Sequence, residues 1–395
     1  MLSYKFRIFP TSSQQKRLEE NLEINRIIYN YFVLNKFRSR NDMNYALTEL
    51  REQQPMLRNY HSKMLQMIST KVAGALTALN ELKKRQHTGA LRTLEPEECN
   101  SFTYNQSGFK IEPLPCGRNR GLLHLSKIGS IEIRLHRRLY DIAQVTVAKQ
   151  AGRWYAVLTC KVMRRQHSDT RYRKTVGIDV GVKNYVYDSD GNHFDNPLFL
   201  TRMIKPLRRA HRKVSRRQKG SHNYKKAISW LQRLHIRIAN RRRDFLHKLS
   251  NSYASRYDVI FLERLRLNNM VKNHSLARRI MDSSWGTFKV LLQYKANRIV
   301  EVDPFHTSVD CSRCANKVPK TLAVRTHECD ICGTVLDRDH NSSMVIEDRG
   351  RILLGLPMRH REVTPAETLS RVDEAGTPPP SRRGELTAIE NRSHH

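Results

Sequence analysis

The 395-residue sequence has few acidic side chains and no long apolar run. Lysine and arginine number 71 against 37 aspartates and glutamates, which gives a formal net charge of +34. No apolar stretch approaches the roughly 18 residues needed to cross a bilayer, and the N-terminus "MLSYKFRIFPTSSQQ" lacks the apolar segment of a signal peptide. These absences predict a soluble, intracellular protein without a membrane partner.

Cysteine is scarce, and four of the seven cysteines are concentrated in one segment with the spacing Cys-x2-Cys, a 14-residue gap, and Cys-x2-Cys. They are Cys311, Cys314, Cys329 and Cys332. This spacing is typical of two knuckles that donate four thiolates to one tetrahedral zinc ion, and the alternative is two disulfides or unused thiols. Such closed coordination predicts a structural zinc, with the chemistry elsewhere. The scattered Cys99, Cys116 and Cys160 are interpreted as buried or incidental thiols.

The excess of positive charge predicts a polyanionic partner, because releasing condensed counterions from phosphates drives association. Nucleic acid is the leading candidate, while a ribosome-like RNA binder and an anionic membrane surface remain alternatives. Residues 202–248 contain 17 lysines and arginines and one acid, Asp244. A solvated helical pair would explain this pattern, but a field of one sign repels itself, so a phosphate-contacting face is favoured.

Changes in residue periodicity predict several segments. "YKFRIF" (4–9) alternates like a strand and ends at Pro10, and residues 11–97 show helical spacing. From residue 101, short alternating runs predict an antiparallel sheet or small barrel that takes up the first strand, so that the helical block is an insertion. The stretch from Arg164 to Lys174 is interpreted as a linker, and the chain from about Met358 as a tail.

Three acids are placed where burial would be costly. Asp179 follows an apolar strand, Glu263 ends the apolar run "VIFL", and Asp339 begins a helix after the cysteine segment. A carboxylate at the end of a buried strand loses hydration unless it is paired or bound to a metal ion, so each is a functional candidate. Each could also be an ordinary cap or turn acid.

The order of strands and helices around these acids resembles the RuvC-like branch of the RNase H fold. The motifs "GIDVGVKN", "FLERL", "VDPFHTSVDCSRC", "CDICG" and "DRDHNSS", in that order, resemble the TnpB family of transposon-encoded RNA-guided DNA endonucleases, which are related to compact type V CRISPR effectors. The likeness extends over most of the chain except the tail.

The resemblance implies an α/β multidomain protein. The expected parts are a β-barrel wedge domain, a helical recognition domain inserted in it, an RNase H-like (RuvC) nuclease domain, a zinc ribbon inserted in the nuclease domain, and a disordered tail. Their expected bounds are 1–10 with 98–165 (wedge), 11–97 (recognition), 172–350 (nuclease), 305–336 (ribbon) and 351–395 (tail).

The resemblance also assigns roles to residues. It places a catalytic triad that binds two Mg²⁺ ions on Asp179, Glu263 and Asp339, and one structural Zn²⁺ on the four cysteines named above. Asp337 is the competing position, but the family's acid lies two residues before an asparagine, here Asn341, so Asp337 is expected to be a cap or a neighbouring group. Ala315 stands where the family usually has glycine, which predicts altered geometry at the first knuckle.

By the same resemblance the expected activity is RNA-guided cleavage of double-stranded DNA by Mg²⁺-dependent phosphodiester hydrolysis. A transposon-derived guide RNA would select the target by base pairing, the protein would recognise a short target-adjacent motif, and one protein monomer would hold one RNA in a prokaryotic cytoplasm, near the nucleoid. The alternatives are a compact type V CRISPR effector, an RNA-guided binder with weak or no cleavage, an RNA-independent resolvase or transposase, and a structural RNA binder.

Overall fold

The computed structural model describes residues 1–361 except 87, 97, 115–118, 138, 162–171 and 322–323. The chain divides into two compact units. The first contains Met1–Gln166 and Lys225–Gln232, and the second contains His167–Tyr224 and Arg233–His395. Most of the predicted linker, the predicted tail beyond residue 361 and Cys116 lie outside the described residues.

The first unit combines three helices with a seven-stranded antiparallel sheet. In chain order its elements are β1 (Leu2–Phe9), α1 (Ser12–Leu34), α2 (Arg40–Gln53), α3 (Ser62–Lys84), β2 (Ser101–Asn105), β3 (Phe109–Pro113), β4 (Arg120–Leu125), β5 (Gly129–Arg134), β6 (Ile142–Gln150) and β7 (Arg153–Cys160). The strand order is β2-β6-β7-β1-β5-β4-β3.

Strand β1 lies in the interior of this sheet, where it pairs with β7 on one side and β5 on the other. Alternation directs Phe6 and Ile8 into the core, and Pro10 ends the strand. Thr11 then caps α1 through a capping box with Gln14. The prediction that the first strand joins the later strands is therefore confirmed, and the helices are inserted between β1 and β2.

The predicted helical block is shorter and more divided than its periodicity indicated. Lys36 adopts a left-handed conformation after α1, and a short 3-10 turn at Pro55–Asn59 separates α2 from α3. Regular helix ends at Lys84, so the expectation of helix up to residue 97 was wrong. The following segment is held without helix, because the Asn30 side chain bonds the backbone of Leu94 in both directions, at 2.7 and 3.0 Å.

One apolar core fills the first unit. Fully buried side chains from the helices, including Phe32 and Met64, pack with Tyr104, Ile131 and Val145 from the strands. Burial of each large apolar side chain contributes roughly 1.5–3 kcal/mol. Helices and strands of this unit therefore share one folding core.

The second unit contains the remaining strands and helices, except that residues 225–232 of α6 are grouped with the first unit. In chain order the elements are β8 (Thr175–Asp179), β9 (Asn184–Asp188), β10 (His193–Asp195), α4 (Phe199–Arg202), α5 (Ile204–Ser215), α6 (His222–Arg256), β11 (Val259–Glu263), α7 (Leu267–Met270), α8 (His274–Ser283), α9 (Trp285–Lys295), β12 (Arg298–Val302), β13 (Thr326–Glu328), β14 (Val335–Asp337) and α10 (Arg338–Leu353).

A five-stranded mixed sheet organises this unit in the order β10-β9-β8-β11-β12. Strand β11 is parallel to both β8 and β12, and β9 is antiparallel to β8. Strands β8 and β11 are buried along almost their whole length, as expected for parallel strands covered on both faces. Because the parallel strands end at one edge, their last residues are brought together there.

Helix α10 lies unusually close to this sheet because glycines meet it at two crossings. A Cβ atom on Gly177 of β8 would be 2.1 Å from the carbonyl oxygen of Ser343 in α10, and a Cβ on Gly350 of α10 would be 2.0 Å from the ring of Phe261 in β11. A larger residue would push α10 away at Gly177, and at Gly350 it would displace either α10 or the Phe261 ring. The two glycines therefore fix the distance of α10 from the sheet.

The chain stays ordered past the point where the tail was expected to begin at residue 351. Helix α10 continues to Leu353, and the His360 side chain lies 2.9 Å from the buried Glu347 carboxylate. Among the described residues, no helix is long and apolar enough to cross a membrane.

Candidate active site and metal centre

Two of the three predicted acids end neighbouring parallel strands. The register pairs Leu262 of β11 with Ile178 of β8, so the next residues, Glu263 and Asp179, lie at the same edge of the sheet. Both side chains are half-buried. The strands thus place two carboxylates side by side where solvent can still reach them.

The third acid reaches this edge from α10. Asp339 lies in the first turn of the helix and is half-buried, and Ser342, one turn further on, hydrogen-bonds the Asp179 carboxylate. Asp337 is the N-cap, because its Oδ1 accepts a 2.8 Å bond from the backbone N–H of Asp339. The prediction that Asp337 is a cap is confirmed, and the structure brings all three predicted acids to one place.

Burial and mutual repulsion make the charged forms of these acids costly. Burial, followed by the charges of Glu263 and Asp339, raises the pKa of Asp179 well above its ordinary value. Burial also raises the pKa of Glu263 and of Asp339, and the neighbouring Asp337 raises that of Asp339 further. A bound cation would relieve this repulsion.

The carboxylates are close but not collapsed on one point. Among the described residues, the four cysteines form the only group of three or more histidine, cysteine or acidic ligands whose atoms all lie within 4.8 Å of one another. The three acids therefore leave more space between their oxygens than a single tight site would.

Sequence reasoning missed the side chains that orient Glu263. The hydroxyl of Thr307 donates a short hydrogen bond to Glu263, and Thr307 follows β12, which pairs with β11 so that Glu263 faces Val302. Asp303, directly after β12, adds a further negative charge that raises the pKa of Glu263. The motif "VDPFHTS" carried these residues, but its spacing did not show which strand end they would face.

The four predicted zinc ligands converge in the ribbon. The Sγ atoms of Cys311 and Cys332 are 3.6 Å apart, and those of Cys314 and Cys329 are 3.5 Å apart. Both distances are well beyond the about 2.05 Å of a disulfide bond. Tetrahedral zinc with Zn–S distances of about 2.3 Å requires S–S separations of about 3.8 Å, so the cluster fits that ion.

The two knuckles have matching backbones. The N–H of Ala315 bonds the carbonyl of Cys311 at 2.9 Å, and that of Gly333 bonds Cys329 at 2.8 Å. Both residues are left-handed, with φ of 62° and 66°. The expectation of altered geometry at Ala315 was therefore wrong, because alanine adopts the conformation that glycine has in the second knuckle.

Asn341 joins the ribbon to α10. Its fully buried side chain accepts a bond from the backbone N–H of Ser312 at 2.9 Å and donates to the carbonyl of Asp310 at 2.8 Å. In the sequence motif, Asn341 served only to identify Asp339 as the predicted acid. The structure shows that it ties the first knuckle to the helix that carries Asp339.

The basic stretch of residues 202–248 falls mainly on α5 and α6. Sixteen of its 17 lysines and arginines are exposed, and the exception, Arg242, pairs with the buried Asp282 at 2.5 Å. Asp244 pairs with Lys248. This arrangement gives the two helices a surface of nearly uniform positive charge.

Three segments of the chain match known families. Residues 157–274, which include Asp179 and Glu263, match the family described as "Probable transposase". Residues 285–346, which include Asp339 and the four cysteines, match "Cas12f1-like, TNB domain", and residues 1–41 match "Helix-turn-helix domain". The predicted acids and cysteines thus fall inside matched segments.

A relative from Streptomyces pristinaespiralis, described as "Putative RNA-guided DNA endonuclease", is 33% identical over 365 residues, which are 86% of this chain and 87% of the relative. The chain belongs to the TnpB family. A second relative of this TnpB protein, from Escherichia coli and described as "Putative RNA-guided DNA endonuclease InsQ", is 28% identical over 277 residues, 64% of this chain and 67% of the relative. The resemblance found in the motifs is confirmed.

One solved structure resembles this TnpB protein over most of its length. It is described as the "mini-RNA-guided endonuclease CRISPR-Cas_phi3", with a TM-score of 0.50 and 10% sequence identity, and the match covers 91% of this chain and 93% of the other. At such low identity the likeness concerns the fold alone.

Proposed function

We propose that this chain is an RNA-guided DNA endonuclease, in which a bound RNA selects the target by base pairing. Phosphodiester bonds are hydrolysed at the acidic edge, which is the sheet edge of the second unit formed by Asp179, Glu263 and Asp339. The observation that carries the proposal is the convergence of Asp179, Glu263 and Asp339 at one edge of the mixed sheet, within a chain of formal net charge +34. The described activity of the relatives from Streptomyces pristinaespiralis and Escherichia coli supports it.

The arrangement of elements supports the domain assignment. We assign residues 172–350 to an RNase H-like nuclease domain of RuvC type, with the ribbon at 305–336 inserted in it. The sheet order β10-β9-β8-β11-β12, with α10 across it, is consistent with that fold. Residues 1–10 with 98–165 would form the wedge domain, and residues 11–97 the recognition domain.

The three acids fit a pair of Mg²⁺ ions. Their oxygens are hard ligands, and burial raises their pKa values, so that a bound cation would offset the cost of their negative charge. Bound Mg²⁺ supplies Lewis-acid stabilisation of the phosphodiester oxygens and lowers the pKa of an attacking water. Thr307 holds the Glu263 carboxylate, and Ser342 holds that of Asp179, so that two of the ligands are oriented before any ion binds.

The remaining charged and sulfur-bearing groups have supporting roles in this proposal. The exposed lysines and arginines of α5 and α6 contact the phosphates of guide RNA or target DNA. The four cysteines hold one Zn²⁺, which stabilises a ribbon too small to form a core of its own. Asn341 transmits that stability to the start of α10.

The decisive experiment uses the full chain purified with the RNA that it binds in cells. That RNA is sequenced, and a matching DNA duplex is incubated with the complex in Mg²⁺ or in excess EDTA. Asp179→Asn should reduce the cleavage rate about a thousandfold, which corresponds to roughly 4 kcal/mol of transition-state stabilisation. EDTA should abolish cleavage.

Asp195→Asn provides a matched control, because Asp195 is an exposed acid in the same sheet, on β10. It should cleave at the wild-type rate. Co-purification of no defined RNA species would contradict guiding, and full activity of Asp179→Asn would contradict the assigned acids. An RNA encoded in a CRISPR array, rather than at a transposon end, would identify the effector alternative with the same chemistry.

A further inference from the structure

An exposed aromatic side chain stands beside the acidic edge without a role in the proposed metal site. Phe305 is 69% exposed and lies in the short loop that connects β12 to Thr307. The ring of His306 packs against it edge-on, with ring centroids 3.8 Å apart. Single exposed apolar side chains are common on proteins, so this observation alone assigns nothing.

The loop that carries Phe305 is firmly fixed. Arg349 of α10 donates to the carbonyl oxygens of Asp303 at 3.2 Å and Phe305 at 2.5 Å, and its other nitrogen binds the Asp310 carboxylate at 2.6 Å. The Asp303 side chain accepts a bond from the N–H of Phe305 at 2.9 Å. Four polar contacts thus hold a loop whose most prominent side chain faces solvent.

The backbone at His306 is held in an uncommon conformation. Its φ is 59°, in the left-handed region that non-glycine residues seldom adopt, and its carbonyl accepts bonds from the N–H groups of Val309 and Asp310 at 3.0 and 2.9 Å. Strained positions of this kind persist where surrounding contacts enforce them and are frequent in ligand-binding loops. Here the strain turns the chain between Phe305 and Thr307.

The loop is joined directly to the acidic edge. Thr307 hydrogen-bonds Glu263, and two residues of chain span at most about 7 Å, so the backbone of Phe305 lies within that distance of the residue that holds Glu263. The exposed ring therefore stands two residues along the chain from the hydroxyl that holds Glu263.

We propose that Phe305, braced by His306, binds the face of a nucleobase in the single-stranded DNA next to the phosphodiester that is cut. The site takes an unpaired base of any identity, because every base has a π-face. Such stacking suits an enzyme whose sequence information comes from RNA pairing. This inference rests on the proposed function, since it assumes that DNA is cut at the acidic edge.

The first experiment combines a protein change with a DNA change. The RNA-loaded full chain cleaves matched DNA in which a single abasic nucleotide is placed in turn at each position around the cut. Loss of one stacked base should slow the wild-type protein about five- to 150-fold at one position (roughly 1–3 kcal/mol). Phe305→Leu should slow cleavage of intact DNA by the same factor and show no further loss with the abasic nucleotide there.

Matched variants separate stacking from folding. Phe305→Trp keeps an aromatic face and should recover most of the rate that Phe305→Leu loses. Leu353→Ala removes an exposed apolar side chain of the same unit, 63% exposed, and should have no effect. Because Phe305 is exposed, Phe305→Leu should have the same melting temperature as the wild type. Wild-type cleavage by Phe305→Leu, or an equal abasic effect in both proteins, would overturn the proposal.

A second readout works without cleavage. In the Asp179→Asn background, 2-aminopurine scanned through the same DNA positions should be quenched at the position that stacks on Phe305, and adding Phe305→Leu should restore its fluorescence. Unchanged fluorescence would refute the stacking site. Persistent cleavage by Asp179→Asn would instead refute the assigned metal ligands, so the two failures are distinguishable.

Discussion

At the scale of single residues, the two zinc knuckles differ in one atom where the backbone is most restricted. Ala315 and Gly333 both have left-handed φ values and equivalent hydrogen bonds. In that conformation the Cβ of alanine lies close to the backbone, whereas glycine has no Cβ. The left-handed conformation costs an L-residue roughly 1–2 kcal/mol. The first knuckle therefore stores strain that the second does not.

Ala315→Gly should stabilise the zinc-bound protein by roughly 0.5–1 kcal/mol, because relief of the left-handed strain exceeds the extra chain entropy of glycine in the unfolded state. Gly333→Ala should destabilise it by a similar amount, since it adds the same strain to the other knuckle. Urea unfolding in the presence of zinc measures both. A lower midpoint for Ala315→Gly would show that Ala315 is not strained.

The three acids show which part of the candidate site could be predicted from single residues and their motifs. Asp179, Glu263 and Asp339 were found because each ends a strand or begins a helix in a recognisable motif. Thr307 was not found, because a threonine becomes notable only when its partner is known. Contact partners that lie 44 positions apart leave no local signature.

At the scale of elements, α10 links the sheet, the ribbon and the acidic edge. Gly177 and Gly350 allow it to lie against β8 and β11, Asp337 caps it, and Asn341 fastens the ribbon to it. The position of Asp339 depends on this packing. Sequence periodicity identified the helix but gave no indication of how near the sheet it lies.

Gly177→Ala should destabilise the protein by at least about 3 kcal/mol, because the added Cβ overlaps the backbone of α10 and the helix must move outward. Displacing Asp339 by about 1 Å should also slow cleavage about a hundredfold at temperatures where the variant is folded. Thermal denaturation and cleavage rates measure the two effects.

Gly74→Ala is the matched control. Gly74 is exposed in α3 and has no atom within 4 Å of the added Cβ, so alanine should stabilise the helix by roughly 0.5–1 kcal/mol without affecting cleavage. If Gly177→Ala melted with the wild type, the close crossing of α10 and β8 would not constrain the fold.

At the scale of the whole molecule, the excess of positive charge and the cluster of three acids have complementary roles in the proposed function. A chain with 71 basic and 37 acidic side chains favours association with nucleic acid, while Asp179, Glu263 and Asp339 lie together at one sheet edge. In the proposed function, the positive charge brings a phosphate backbone near, and the three acids hold the cations. The sign of the charge is therefore set separately for binding and for chemistry.

RNA affinity should fall about 10³- to 10⁵-fold between 50 and 200 mM salt, as for proteins that neutralise six to ten phosphates. Changing four exposed arginines of α5 and its C-terminal end to glutamine should lower the slope of log affinity against log salt by roughly 3. These are Arg208, Arg209, Arg212 and Arg216. Filter binding at graded salt measures the slope.

The control variant removes the same amount of charge, but from lysines and arginines that form ion pairs with acidic residues. They are Lys84, Arg92, Lys110 and Arg120, which pair with Glu81, Glu98, Glu112 and Glu132. Their conversion to glutamine should change the slope little. Equal slopes for the two quadruple variants would show that only net charge matters and that α5 is not a phosphate contact.

The sequence by itself determined what depends on neighbouring residues. Alternation placed the strands, Pro10 and Thr11 marked the start of α1, cysteine spacing identified the ribbon, and charge identified the class of partner. Each of these features is a pattern or a count along the chain, so it is visible in the linear sequence.

Tertiary structure alone decided which distant residues meet. Asp179 and Asp339 are 160 positions apart and share an edge because β8 pairs with β11 and because glycines let α10 approach. The same packing gave Thr307 and Asn341 their partners and left Phe305 exposed. Strand order and helix crossing follow from the packing of the whole unit, and no local periodicity encodes them.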